Sequence, residues 1–238
     1  MLWIDYFVFN GEEIVFSRLE YLFPVVDKFY ICEKKFTSQE SFLYIDLMKK
    51  KFEPYLSKIV FIVDFSGNDP NFSADKILAD CGEEKFILTV CRSDEFPDLS
   101  IMNSVKEGLY NKCAEGCIYM EMSVFIYNLN WLLKSTRLGA FVLNDILLRE
   151  HKNFQKFIDE KGPVFGTFEC GWHFSYFFSY NRLLKINKDS EFVGNCLVNG
   201  KDLCKREYVK IIQNTMNKSI YPKEILELHK KTIMAQFG

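Results

Sequence analysis

The chain has 238 residues, of which 48% are hydrophobic and 16% aromatic, and this composition excludes a disordered protein. Its 30 basic and 32 acidic side chains give a formal net charge of -2, which argues against a nucleic-acid partner because such partners need a basic excess or stripe. The most apolar stretch, residues 117–133, is interrupted by Glu121 and two asparagines, so we expect no membrane span.

Strands and helices alternate along the chain. Apolar, β-rich runs predict strands at Leu2 to Phe9, Phe29 to Cys32, Lys58 to Phe65, Phe86 to Cys91, Cys117 to Tyr127 and Ala140 to Leu147. Helical spacing and capping signals predict helices at Glu12 to Phe23, from the capping box Thr37 to Glu40 to near Lys51, Ser73 to Ala79, Leu99 to Tyr110 and His151 to Lys161. We therefore expect an α/β protein with a mostly parallel central sheet flanked by helices, a helical C-terminal part after Ser179, and one domain over residues 1–238.

Polar residues follow three of the predicted strands. These are Asn10-Gly11-Glu12, Glu33 and the segment Arg92 to Glu95. Ligands of such sheets bind beyond the carboxyl ends of the strands, so these residues are predicted to meet at one rim. Arg18 falls near the apolar face of its helix, and an inward arginine needs a carboxylate, for which Glu33 is a candidate.

The segment Arg92-Ser93-Asp94-Glu95-Phe96-Pro97 supports two interpretations. Acidic residues directly after a strand commonly hold a divalent cation on a phosphate-bearing substrate. Alternatively, Ser93 or Asp94 caps the next helix with Pro97 in its first turn, and Arg92 pairs with Glu95 or Asp98. The two interpretations are compatible.

Two later segments contain candidate binding residues. Trp172 lies in an aromatic run and could stack on a sugar ring, while His173 could ligate a metal or bind a phosphate. Arg149 could contact a phosphate. Core packing and turn chemistry explain these residues almost as well.

A series of spaced motifs resembles glycosyltransferase family 17, which includes β-1,4-mannosyl-glycoprotein β-1,4-N-acetylglucosaminyltransferases. The resemblance spans most of the chain, from Asp5 to Asp202. The motifs are Phe9-Asn10-x-Glu12, Arg18-Leu19, Val26-Asp27-x-Phe29, Ile31-x-Glu33, Thr37, Asp94-Glu95-x-Pro97, Tyr127-Asn128-Leu129-Asn130, Gly171-Trp172-His173-Phe174-Ser175-Tyr176-Phe177, Ser190-Glu191-Phe192 and Gly200-x-Asp202.

The resemblance implies a GT-A-like, Rossmann-like fold and an inverting glycosyltransferase that moves N-acetylglucosamine or another hexose from a UDP-linked sugar. The acceptor is expected to be a glycan or a lipid-linked sugar, and the cofactor Mn²⁺ or Mg²⁺. Where the family has the first aspartate of Asp-x-Asp, this chain has Arg92. This difference leaves three hypotheses: Asp94 retains the cation, the guanidinium of Arg92 replaces it, or the site is inert.

The resemblance also implies roles for individual residues. The donor-binding residues are Asn10, Glu12, Arg18, Glu33, Arg92, Asp94, Trp172 and Arg149; the metal ligands are Asp94 and His173; the catalytic base is Glu191 or Glu95. Because the chain starts at the catalytic domain, we expect a cytoplasmic, bacterial or viral version of the family. Two other classes stay open: an inactive domain of this type that binds a sugar or nucleotide, and a different metal-dependent enzyme, such as a nuclease, using Asp94 and Glu84 or Glu95. The near-neutral charge disfavours the second.

Overall fold

The computed structural model describes residues 1–34, 43–64, 74–111, 117–151, 165–177, 180–204, 211–214 and 221–237. Its contacts divide the chain into two compact units. Unit 1 comprises Met1–Glu121 and Leu138–Cys170, and unit 2 comprises Met122–Arg137 and Gly171–Gly238.

The described elements follow one another in an alternating order. They are β1 Leu2–Val8, α1 Ile14–Leu22, β2 Lys28–Lys34, α2 Tyr44–Leu47, α3 Lys49–Phe52, a 3-10 helix Glu53–Lys58, β3 Ile59–Asp64, α4 Ala74–Cys81, β4 Phe86–Arg92, β5 Glu95–Pro97, α5 Leu99–Asn111, β6 Cys117–Ile126, β7 Trp131–Leu133, β8 Arg137–Asn144, α6 Asp145–Glu150, β9 Phe165–Ser175, α7 Tyr180–Ile186, α8 Ser190–Asn199, β10 Ile211–Gln213 and α9 Lys223–Phe237. None of the described helices combines the length and apolar character needed to cross a membrane.

Unit 1 is built on a parallel sheet with the strand order β4-β1-β2-β3, and β8 pairs with β4 in the antiparallel direction. All five central residues of β1 are buried, as expected for a strand whose two faces are both covered. The chain steps from β1 outward to β3 and then returns to β4 on the other side of β1. The expected α/β fold with a mostly parallel sheet flanked by helices is therefore confirmed.

A buried ion pair joins α1 to β1. The Arg18 Nη2 atom lies 2.7 Å from Asp5 Oδ1, and both side chains are fully buried. The Arg18 guanidinium also lies 5.4 Å from the ring centroid of Phe7 and 5.8 Å from that of Phe96. The predicted pairing of Arg18 with Glu33 is wrong, because the carboxylate that faces this helix comes from the neighbouring strand β1.

The described residues of unit 2 form three helices and short strands. Strand β7 pairs with β10 in the antiparallel direction, and Leu132 of β7 is opposite Phe125 of β6. Helix α8 begins after Asp189, whose Oδ1 atom accepts a hydrogen bond of 2.9 Å from the Phe192 N–H. It ends at Gly200, which has a φ of +62° and supplies the left-handed conformation of a helix C-terminus. The mostly helical C-terminal part is thus found in the described residues, with β10 interrupting it.

Some element boundaries differ from the expectations. The strand predicted from Ala140 to Leu147 ends at Asn144, because the Asn144 Oδ1 atom accepts a 3.0 Å hydrogen bond from Leu147 N–H and begins α6. Strands β5, β7 and β10 are absent from the predicted elements, since three residues are too few for a periodic pattern. The longer strand β9 is also absent from them. The capping box at 37–40 and the helix predicted after His151 lie outside the described residues.

Candidate ligand site at the carboxyl edge of the parallel sheet

The carboxyl ends of β1 and β4 lie side by side in unit 1. Val8, the last residue of β1, is in register with Arg92, the last residue of β4. The strand order reverses between these two strands, and ligands of open α/β sheets bind at such a reversal. The prediction that the loops after these strands meet at one rim is confirmed; we call the segments 9–13 and 92–95 the rim loops.

One carboxylate connects the two rim loops. The Glu12 Oε2 atom accepts a 2.9 Å hydrogen bond from the Asn10 N–H and a 3.4 Å hydrogen bond from the Ser93 hydroxyl. Gly11, between Asn10 and Glu12, has a φ of +79°, a backbone conformation that residues other than glycine rarely adopt. Asn10 and Glu12 therefore shape the rim through their backbone and through this carboxylate.

Arg92 presents an exposed side chain at the rim. Its backbone N–H donates a 2.9 Å hydrogen bond to the Glu95 Oε2 atom. Within the described residues, no carboxylate lies within 4.0 Å of the Arg92 guanidinium, so the predicted ion pair with Glu95 or Asp98 is not formed there.

Glu95 is occupied in holding its own turn. Its side chain is only 3% exposed, and its carboxylate accepts the Arg92 N–H across the turn between β4 and β5. The buried Arg18 guanidinium also interacts electrostatically with Glu95. This environment suits a structural carboxylate better than the predicted catalytic base, which needs access to an acceptor hydroxyl.

Asp94 lies in the turn between β4 and β5, half-buried. The interpretation that Ser93 or Asp94 caps the next helix is wrong, because α5 begins after Asp98, whose Oδ1 atom accepts from the Ser100 N–H at 2.9 Å. Among the described residues, no group of three histidine, cysteine, aspartate or glutamate side chains is arranged to hold a metal ion. A cation held by Asp94 with help from ligand phosphates stays a prediction.

Glu33 fixes the start of α2. Its carboxylate accepts hydrogen bonds from the Tyr44 N–H at 2.6 Å and the Ile45 N–H at 2.8 Å, and the side chain is 3% exposed. These two N–H groups have no partner within a helix because they lie in its first turn. Glu33 therefore lies at the predicted edge of the sheet but positions a neighbouring segment.

A tyrosine that the sequence did not single out lies against the first rim loop. A Cβ atom added to Gly11 would lie 2.6 Å from Tyr44 Cδ1, so the tyrosine ring packs directly on the glycine. The ring is edge-on to Phe9, with centroids 6.4 Å apart, and the residue is 48% exposed. No local signal could have identified Tyr44, because its closeness to Gly11 depends on how the chain returns to β1.

Arg149 lies at the opposite edge of the sheet. Its Nη2 atom donates a 2.7 Å hydrogen bond to the Gly82 carbonyl, and its Nε atom lies 3.5 Å from Asp145 Oδ2. Gly82 comes just before the amino end of β4, whose seven residues span about 20 Å. Arg149 therefore lies at the other edge of the sheet from Arg92, and its contact with a donor phosphate stays a prediction.

Three further predicted site residues belong to unit 2. The Trp172 ring lies edge-on to Tyr221, with centroids 6.0 Å apart. His173 is 2% exposed, and its Nε2 atom is 3.2 Å from the Ser175 hydroxyl. Glu191 is exposed in the first turn of α8, where a carboxylate interacts favourably with the helix dipole. Their roles in donor binding, metal binding and catalysis stay predictions.

No protein-family model and no curated protein matches the chain. Several solved structures are weakly similar. A protein assigned as a glucose-1-phosphate thymidylyltransferase from Bacillus anthracis has 11% identity and a TM-score of 0.42, with 72% of this chain and 88% of that chain covered. HddC from Yersinia pseudotuberculosis has 13% identity and a TM-score of 0.39, with 97% and 99% covered. The inositol-1-phosphate CTP transferase from T. maritima has 11% identity and a TM-score of 0.42, with 99% and 97% covered.

The resemblance to glycosyltransferase family 17 is wrong. No family model matches the chain, and none of the solved structures named above is described as a member of that family. The motifs that carried the resemblance have local structural explanations here: Asn10-x-Glu12 forms a turn, and the segment from Gly171 to Ser175 lies in strand β9. Similarity to the solved structures at this level is too low to assign a function.

Proposed function

We propose that this protein is a transferase that acts on a nucleotide or a nucleotide sugar, and that its rim loops bind the phosphate groups of that ligand. The observation that carries the proposal is the meeting of the two loops at the reversal of strand order, with the exposed guanidinium of Arg92 on one of them. Guanidinium pairs bidentately with phosphate oxygens and keeps its charge at every physiological pH.

The proposed chemistry needs positive charge at the phosphates. When a group leaves a nucleotide, negative charge builds on the departing phosphate or diphosphate and must be stabilised. Arg92 supplies such a charge, and Asp94 is two residues away on the same turn. Mg²⁺ is commonly held by one or two carboxylates together with substrate phosphates, so Asp94 is our candidate for a cation ligand. Transfer of a hexose from a UDP-linked sugar to a glycan or lipid-linked acceptor is the finer form of this proposal, with Glu191 as its candidate base.

A second candidate is a nucleotide-binding protein without catalytic activity. It is favoured by the state of three carboxylates, since Glu12, Glu33 and Glu95 each accept backbone N–H groups. A carboxylate whose oxygens are occupied by backbone donors is poorly placed to accept a proton from an acceptor hydroxyl, because a general base must lie within hydrogen-bond reach of that proton.

Calorimetric titration with UDP, GDP, dTDP and their sugar derivatives tests nucleotide binding, which both candidate functions require. We expect at least one of these ligands to bind, and we expect Arg92→Ala to weaken that binding by about 10- to 150-fold, as for a lost charge-assisted hydrogen bond. Arg149→Ala is the matched control, because it removes the same side chain at the opposite edge of the sheet. Equal affinities of wild type and Arg92→Ala, or no binding across the panel, would refute the proposal.

Turnover separates the two candidates. The transferase predicts that a bound nucleotide sugar releases its nucleotide when an acceptor sugar is added, and that Arg92→Ala slows this release. Binding without release across a panel of acceptors supports the inactive protein instead. Addition of EDTA tests the cation: activity that is unchanged by EDTA contradicts a metal role for Asp94.

A further inference from the structure

The Tyr44 ring lies beside the rim loops, on the side of Gly11. Gly11 directly precedes Glu12, and the Glu12 carboxylate accepts the Ser93 hydroxyl of the second loop. Tyr44, Gly11, Glu12 and Ser93 are therefore connected by successive contacts that lead to Arg92. Tyr44 is bound to Glu33 near the end of β2, and Arg92 ends β4, so the two residues flank the loop that follows β1.

Several features hold the tyrosine in this position. The buried Glu33 carboxylate accepts the Tyr44 and Ile45 N–H groups and so fixes the backbone of the tyrosine. Gly11 adopts a φ of +79° and leaves no room for a Cβ atom, because one would lie within 3 Å of three ring carbons of Tyr44. Burying a carboxylate is costly unless it is well hydrogen-bonded, so the position of α2 is strongly specified.

The ring is held but not covered. Tyr44 remains 48% exposed, and its hydroxyl makes no hydrogen bond with the described residues. An aromatic ring with a fixed orientation and an open surface loses little conformational freedom when a flat ligand stacks on it. Nucleobases have such a flat face, and stacking on an aromatic side chain does not depend on which base is present.

We propose that Tyr44 is the platform on which the nucleobase of the bound nucleotide stacks. This proposal rests on the proposed function, because it assigns the second half of the same ligand. Arg92 then holds the phosphates and Tyr44 the base, with Gly11 between them as the point of close approach. Tyr44 sets affinity for the nucleoside part and leaves affinity for the phosphates unchanged.

Calorimetric titration with five nucleoside diphosphates and with inorganic pyrophosphate tests the assignment. The nucleoside diphosphates are UDP, CDP, GDP, ADP and dTDP. Tyr44→Ala is expected to weaken the tightest of them by about 5- to 150-fold, as for the loss of one base–aromatic stack, and to leave pyrophosphate binding unchanged. Tyr44→Phe keeps the ring and is expected to bind within twofold of wild type.

Leu47→Ala is the matched control, because Leu47 lies on the same short helix, is 65% exposed and is not a neighbour of Gly11 in the packing described above. We expect it to bind every probe as wild type does. Should Tyr44→Ala fail to fold, Tyr44→Leu keeps apolar bulk beside Gly11 but removes the ring, and the same loss is expected.

Two results overturn the assignment alone. One is a Tyr44→Ala or Tyr44→Leu variant that binds nucleoside diphosphates as tightly as wild type. The other is an equal loss of pyrophosphate binding, which would mean that the substitution disturbs the rim loops. If wild type binds none of the five nucleotides, the proposed function fails and this assignment fails with it.

Discussion

Replacement of Arg18 by methionine is predicted to destabilise the protein strongly. The guanidinium donates three hydrogen bonds of 2.7, 2.9 and 3.2 Å to the Asp5 carboxylate, and both side chains are fully buried. Removing one partner of such a pair costs about 3–5 kcal/mol, because the other charge is left buried. For a chain of this size, this loss corresponds to a fall in Tm of about 6–20 °C.

The pH dependence of the Arg18→Met variant provides a second signature. Burial raises the pKa of Asp5, and the Arg18 guanidinium opposes that rise. Without Arg18 the pKa of Asp5 rises further, so the folded variant binds a proton more tightly than the unfolded chain. The variant is then most stable below the unfolded pKa of Asp5, and its stability falls as the pH rises through the folded pKa.

Urea unfolding of a double-mutant cycle tests this reasoning. The double variant Asp5→Leu with Arg18→Met replaces the pair by apolar side chains and is expected to recover most of the stability that Arg18→Met loses. A single variant that loses less than about 1 kcal/mol would refute the importance of the pair. A double variant as unstable as the sum of the two single variants would show that Asp5 and Arg18 act independently.

Gly200→Ala is predicted to cost more stability than Gly82→Ala in urea unfolding. Both glycines have positive φ angles, but their surroundings differ. A Cβ added at Gly200 would lie 2.4 Å from Trp131 Cε3, whereas one added at Gly82 would meet nothing within 4 Å. Equal losses of unfolding free energy would mean that the contact with Trp131 relaxes without cost. The free energy of unfolding is also predicted to fall as the pH rises from 9 to 12, because burial raises the pKa of Cys117 and Cys170 to about 12 from an ordinary value of 9.0. Each thiol contributes at most about 1.4 kcal/mol per pH unit, and alanine variants of the two cysteines that keep the wild-type pH slope would contradict this.

The parallel sheet of unit 1 could be predicted because its strands are continuous apolar runs separated by helical segments. The rim followed from the same pattern, since the polar residues directly after β1 and β4 must lie at one edge of a parallel sheet. What the pattern could not specify is which strand neighbours which. The approach of Glu12 to Ser93 was therefore predictable as a region and not as a contact.

The errors concern side chains whose partners are distant in sequence. Arg18 needed a buried carboxylate, but the choice between Asp5 and Glu33 depends on how α1 packs on the sheet. The location of Arg149 likewise depends on the direction of β8, which a local pattern does not specify. Since β8 runs antiparallel to β4, the helix that follows it begins at the amino edge of the sheet.

The short motifs behind the family resemblance were also ambiguous for a physical reason. A turn with the sequence Asn10-Gly11-Glu12 arises wherever a positive φ angle and a carboxylate acceptor are needed. The aromatic run around Trp172 arises from a strand with apolar residues. Motifs of this kind report local conformation, and many families can share them.

A crystal structure with a bound nucleoside diphosphate tests the central claim most directly. We expect that structure to show phosphate oxygens within hydrogen-bonding distance of the Arg92 guanidinium and of the backbone around Gly11, with the base against Tyr44. Phosphates bound at the amino edge of the sheet near Arg149, or anywhere away from the two rim loops, would contradict it.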